Sequence, residues 1–352
     1  MKKLIYILPI VVLLLMGCER RPLVELSSTH YVRVYVNENI LNVTEGFYNE
    51  NYARPHYDSP DVLRLILADP VTGKAVAERF LRNIGEDERG IYYDGYIFAE
   101  PGNYVLMAYN FDTETTIVTN ANSCNEAKAY TNIIASHISS NIPSRNQSST
   151  GEKIVYDPDH LFAANCGEVK IGYNSEVDTL RTPEGDHFTA KSIVKSYYLQ
   201  VRVKGLEFVS TSIGLLSGMS GSAYVNGTGM IENDPVTIYF EMLPGVNSTA
   251  SGIARTNTEG VTTIYTTFST FGKIEGAQNG LNITFDFHTT YGEPYSETLN
   301  ITDLFYTELA REKQWLLIDH TISIPEPPKV GGDGGFKPIV DEWGDIKTEI
   351  EL

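Results

Sequence analysis

The sequence predicts an all-β protein, two tandem antiparallel β-sandwiches with a few short helices. Apolar residues recur at every second position in many short runs, Val32, Val34 and Val36 being the first and Leu63, Leu65 and Leu67 the next. Gly, Asn or Pro separates these runs, as local turns require, whereas a parallel sheet needs long crossovers between its strands. The composition agrees: 22 Tyr, with many Thr, Asn and Gly, suits strands and turns. With 352 residues, 42% of them apolar, the chain can bury two cores, and wholesale disorder is excluded.

The N-terminus comes first. Lys2 and Lys3 precede an apolar run from Leu4 to Met16, which carries Pro9 and is too short for a comfortable bilayer span of about 20 residues. Leu15-Met16-Gly17-Cys18 closes it. Leu at −3 and Gly at −1 before a cysteine resemble the lipobox of a bacterial lipoprotein signal, with Met16 departing from the usual small residue. The resemblance implies removal of residues 1–17 and acylation of Cys18. One acyl chain binds a membrane marginally, but several together hold almost irreversibly. Residues 18–29 then read as a lipidated tether containing Pro22.

The next unit, 30–185, opens with the strand His30–Val36, its valines facing inward. Leu63–Leu67, Ala75–Phe80, Tyr92–Phe98, Tyr104–Tyr109 and Val169–Ile171 are further strands. Glu86-Asp87-Glu88 reads as a solvated loop, and 141–153, rich in Ser and Asn, as an exposed loop. Asn125 is placed to cap a helix on which Ala127, Tyr130, Ile134 and Ile138 share one face. Turn residues cluster at Thr182-Pro183-Glu184-Gly185, where the boundary is set. In the second unit, 186–325, Leu199, Val201 and Val203 face one way and Gln200, Arg202 and Lys204 the other. Val236–Met242, Ile264–Phe268, Ile283–Phe287 and Leu316–Ile324 follow as strands, and a helix is expected after Thr302, over Asp303–Glu312. The stretch 326–352 is a Pro/Gly linker and a tail. In that otherwise acidic tail Phe336, Ile339, Val340, Trp343, Ile346, Ile350 and Leu352 need cover, from this chain or another.

Charge narrows the function. The formal charge of −18 argues against nucleic acid and against adhesion to anionic head groups, so membrane attachment falls to the acyl chains. Beyond Cys18 only Cys124 and Cys166 remain, either as one bridge or as two buried thiols. The seven histidines form no HExxH and no metal-spaced set with cysteine. Asp157, Asp159 and His160 lie together, as do Glu184, Asp186 and His187; both groups read as solvated turns. No Gly-x-Ser-x-Gly is present, and no cofactor is expected. Tyr92, Tyr93, Tyr96, Tyr197 and Tyr198 are core or half-buried sheet residues on one reading and sugar-stacking residues on the other.

Several short motifs in order carry a resemblance over nearly the whole chain. They are Cys18-Glu19-Arg20-Arg21-Pro22-Leu23, Thr29-His30-Tyr31-Val32-Arg33-Val34 and Pro101-Gly102-Asn103-Tyr104 in the first half. Leu215–Gly221, Thr270-Phe271-Gly272, Gly334-Gly335-Phe336 and Trp343 follow. The set resembles the fimbrillin superfamily of Bacteroidetes-type pili, in particular its lipoprotein branch of anchor-like members. The resemblance implies two transthyretin-like sandwiches, a place in the outer membrane at the cell surface, and fimbrillin-like subunits as partners in a fimbria serving cell adhesion. It also implies strand exchange between subunits, in which main-chain hydrogen bonds give affinity and alternate side chains fill pockets. Residues Phe336, Ile339, Val340, Trp343, Ile346 and Ile350 are then the candidate docking strand. Arg20 and Arg21 adjoin the lipid with no second processing site marked. The alternative function is that of a surface glycan-binding lipoprotein.

Overall fold

A computed structural model of the chain describes residues 29–37, 59–146, 151–172, 177–243, 251–276 and 280–328. Cys18 and the tail 336–352 lie outside the described residues. The first half supplies β1 (Thr29–Asn37), β2 (Leu63–Ala68), β3 (Ala75–Leu81), β4 (Asn83–Asp87), β5 (Gly90–Phe98) and β6 (Gly102–Asn110). After them come β7 (Thr116–Thr119), β8 (Lys128–Thr131), helix α1 (Ser136–Ser140), β9 (Lys153–Tyr156), β10 (Phe162–Ile171), β11 (Asp178–Thr179) and β12 (Phe188–Ser192). The second half supplies β13 (Lys195–Lys204), β14 (Val209–Ser220), β15 (Ser222–Tyr224), β16 (Pro235–Leu243), β17 (Ser251–Thr256) and β18 (Val261–Thr270). It ends with β19 (Asn282–Thr289), β20 (Pro294–Asn300), helix α2 (Glu308–Lys313) and β21 (Trp315–Ser323). The architecture is all-β.

The first body is one sheet in the order β3-β2-β6-β10-β12-β1-β5-β4, with β11 beside β1. Its two edges, β3 and β4, are separated in sequence by Arg82 alone. The sheet therefore curls until both edges belong to one bent strand, which removes the open edges that would template aggregation. At the bend Leu81 turns fully inward, and Gly95 makes room for it: a Cβ there would lie 2.9 Å from Leu81 Cδ2. The alternation read from sequence fills the core, with Val32, Val34, Leu63, Leu65, Leu67, Leu106 and Ala108 all buried.

The second body packs the sheet β17-β18-β13-β21 against the sheet β20-β19-β14-β16-β9. Leu199, Val201 and Val203 meet Ile238, Phe240, Ile283, Phe285 and Phe287 between the layers. On the far face of β13, Arg202 pairs with Asp319, but Gln200 is fully buried, so that face is not simply polar and solvated. Central strands of a covered sheet are buried on both faces, which overrides the alternation.

The two halves exchange strands. β9, from the first half of the chain, extends the second body's sheet as a parallel partner of β16, Val155 opposite Ile238. β15, from the second half, pairs with β8 in a small sheet, β15-β8-β7, that covers the outer face of the first body. Under it Ile66, Met107 and Tyr109 meet Ala127, Ala129, Ala223, Val225 and Phe271 in a core built from both halves. β12 pairs with β1 and β10 in the first sheet, beyond the turn at 182–185.

Several local expectations are corrected. The helix expected after Asn125 is the strand β8: Ala129 and Thr131 alternate inward, and only Ser136–Ser140 is helical. Glu86 and Asp87 lie in β4 and not in a loop, because Asp87 accepts hydrogen bonds from the Arg33 guanidinium and the Tyr35 hydroxyl. In place of one helix after Thr302 there is a 3-10 turn over Asp303–Tyr306, then α2. The Thr307 side chain caps α2 by accepting from the Ala310 N–H.

Candidate functional site

The loop Asp157–His160 joins the two bodies, and its three polar side chains are engaged. Asp159 sits where the chain turns before β7 and accepts backbone N–H bonds from Glu114 (2.7 Å), Thr115 and Thr116 (3.2 Å). Thr115 returns its hydroxyl to the Asp157 carbonyl at 2.9 Å, and Asn110 donates to the His160 carbonyl at 3.0 Å. These bonds fix the loop to the first body. Toward the second body, His160 Nε2 lies 2.7 Å from Ser196 Oγ, which lies 2.8 Å from Ser269 Oγ. The backbone N–H of Ser269 donates in turn to the Asp157 carboxyl.

Burial sets the charges. It pushes the Asp157 carboxyl up to about 7, opposed by the Ser269 N–H and reinforced by the neighbouring Asp159 charge. It pushes the His160 imidazole down to about 4, so the ring is neutral near pH 7. The turn therefore exchanges solvation for bonding, contrary to the solvated turn expected there. A cavity of about 760 Å³ opens beside it, lined by Asp61, Asp112, Glu114, Asp157 and Asp159. Among the described residues no three ligating side chains converge as a metal site.

A serine against a histidine invites a catalytic reading, and the geometry argues against it. Ser196 is 6% exposed, its hydroxyl continues to Ser269, and what stands near His160 Nδ1 is the Ser192 hydroxyl at 3.4 Å, not a carboxylate. The second acidic group lies elsewhere: Asp186 pairs loosely with Arg89 at 3.9 Å, and His187 packs against the Tyr35 ring on the first sheet. Sequence reasoning missed Ser196 and Ser269 altogether, because they lie 36 and 109 positions from His160.

The aromatic residues divide. Tyr93, Tyr197 and Tyr198 are buried, whereas Tyr96 and Phe98 are 56% and 62% exposed on the outer face of β5. Beside them Tyr31 stacks edge-on against Tyr96, and the Arg33 guanidinium lies 3.8 Å from the Tyr92 ring centre. Cys124 is buried. The side chain of Cys166 lies outside the described residues.

The sheet edges matter most for strand docking. β20 begins at Pro294, and the 3-10 turn Pro143–Asn146 packs on its sheet, where Ser144 reaches Asp286 at 2.7 Å. β21 is bulged, its register against β13 shifting between Val201 and Arg202, and its His320 bonds Glu297 of β20 at 2.5 Å. β17 is short, with a register shift between Ile253 and Arg255. The other edge of the five-stranded sheet is β9 itself, whose outer side is bonded by the backbone of Asn132 and Ile134. Bulges, prolines and early filling all blunt an edge against added strands.

These features define a two-body β protein whose halves complete each other's sheets. Residues 82–241, from the bent strand to β16 and so across the junction, match the family model described as a domain of unknown function, DUF5119. The proposed fimbrium anchoring subunit Fim4B of Bacteroides ovatus is 29% identical over 274 residues, spanning 73% of this chain and 77% of that protein. The crystal structure of a proposed adhesin from Bacteroides ovatus superimposes with a TM-score of 0.53 at 19% identity, covering 88% of this chain and 98% of that one. That likeness is one of fold. The pilus role named for Fim4B runs in the same direction as the resemblance read from the sequence.

Proposed function

We propose that the chain is a non-enzymatic, lipid-tethered pilus anchor or accessory subunit, held in the outer membrane at the cell surface through acylated Cys18. It acts by strand exchange with fimbrillin-like partners. The observation that carries this reading is the state of the edges. β17 and β21 are bulged and β9 is bonded on its outer side by Asn132 and Ile134, which leaves β20 as the one regular edge of the second body among the described residues, so the chain is less suited to accept a strand there than to offer one. The candidate donor is 336–352, where Phe336, Ile339, Val340, Trp343, Ile346 and Ile350 supply the side chains a partner's groove would take up. The likeness to Fim4B supports the anchor role, and the lipobox resemblance places the lipid at the opposite end from the donor. The units 30–185 and 186–325 serve as the spacer between them.

The test is to isolate the full-length chain from the envelope under mild detergent and identify what accompanies it. A fimbrillin-like subunit in stable ratio is expected; its absence, with the chain otherwise intact, contradicts the reading. The exposed Tyr96 and Phe98 beside Tyr31 favour one second reading, a glycan-binding surface lipoprotein. Binding of the chain to a polysaccharide that is lost in Tyr96→Ala would support that second reading.

A further inference from the structure

A cleft of about 880 Å³ runs between the start of β13, the turn after β15, the end of β18 and α2. Its charge is opposite to that of the chain. Lys191, Lys195, Lys273 and Arg311 line it against Glu232 and Glu275, in a protein of net charge −18. Lys273 is engaged with Glu275 and the Tyr306 ring, but Lys191, Lys195 and Arg311 are exposed and have no carboxylate partner among the described residues. The floor is apolar and aromatic, from Met230, Phe271 and Phe305. Tyr197, 7% exposed, lines it with a hydroxyl that has no hydrogen-bond partner among the described residues. A cationic rim over an apolar floor selects an acidic segment with large apolar side chains.

We infer that the cleft is the resting place of this chain's own C-terminal segment, 336–352. That segment carries Asp341, Glu342, Asp345, Glu349 and Glu351 against Lys337 and Lys347, interleaved with Phe336, Trp343 and Ile346. The reach is sufficient. The cleft lies at the start of β21, and the described chain leaves beyond its far end, roughly 30 Å away at strand rise. The fifteen residues from Lys329 to Trp343 can extend to about 50 Å. Opposite charge at this range steers the segment in, and burial of Trp343 holds it. The contact concerns the isolated protein and stands whether or not the same segment later enters a partner.

The experiment uses the full chain, in which Trp315 is buried and Trp343 is the only other tryptophan. The difference in emission between the chain and its Trp343→Phe variant isolates Trp343. We expect a blue-shifted signal that moves to the red in the triple variant Lys191→Glu, Lys195→Glu, Arg311→Glu, and that stays in place in a control carrying Lys74→Glu and Lys170→Glu. A solvent-like Trp343 signal in the parent overturns the inference, as does a blue-shifted one indifferent to the triple variant. A blue shift that disappears on dilution also overturns it, because the occupant would then be the tail of a second copy.

Discussion

Replacing Asp157 by Asn tests the junction loop directly. In the folded chain the Asp157 carboxyl titrates at about 7 against an ordinary value of 3.8, so the folded state binds this proton more tightly than the unfolded state. Stability from this group is therefore fully present below pH 3.8 and is lost as pH rises through 7. Three units at 1.36 kcal/mol each set a ceiling of about 4 kcal/mol. The carboxyl keeps some solvent contact, so about 2 kcal/mol is the expected size after screening. Asn keeps an oxygen to accept the Ser269 N–H but carries no charge. The variant should match the parent near pH 4 and be the more stable of the two at pH 7.5. His160 works in the opposite sense, its stability gained as pH rises from about 4 through 6.5, and it is present in both proteins. Urea unfolding of parent and variant across pH 4–8 reads the gap. A gap that does not widen with pH, or one that favours the parent at pH 7.5, refutes the assignment of a buried, charge-starved carboxyl to the junction.

Other outcomes follow from the same packing. Gly214→Ala would place a Cβ 2.3 Å from the Phe240 ring, which is buried and stacked on Phe268 at 4.6 Å, so overpacking should cost about 1–3 kcal/mol in urea unfolding. Val155→Asp puts a charge where β9 meets the second core. If the exchanged strand ties the bodies together, the chain should lose several kcal/mol and both halves should melt in one lowered transition by calorimetry. Thr307→Ala removes the cap of α2 and should cost about 1 kcal/mol, measured the same way.

What the sequence disclosed was local. Alternation located β1, β2, β6, β13, β16 and β19, because half-buried strands write their faces into neighbouring residues. β14 is not legible as a strand: its twelve residues include Gly214 and Gly218 and are buried over most of their length, so no alternation survives. β9 is four residues long inside Ser- and Asn-rich flanks, and its partner β16 begins about eighty positions later. The spacing of Ala127, Tyr130, Ile134 and Ile138 fits a helix, but pairing with β7 and β15 makes Lys128–Thr131 a strand in which Ala129 and Thr131 face inward. The hydrogen-bonded string from His160 through Ser196 to Ser269 is tertiary throughout. No local pattern announces it.

The central claim is that 336–352 is the segment by which a tethered subunit holds its partner. Deleting those residues in the full-length chain and measuring the fimbrillin-like subunit retained with the cell envelope tests it most directly. The account predicts that the shortened chain stays in the membrane fraction while the partner is released into the medium. Undiminished retention of the partner by the shortened chain would contradict it.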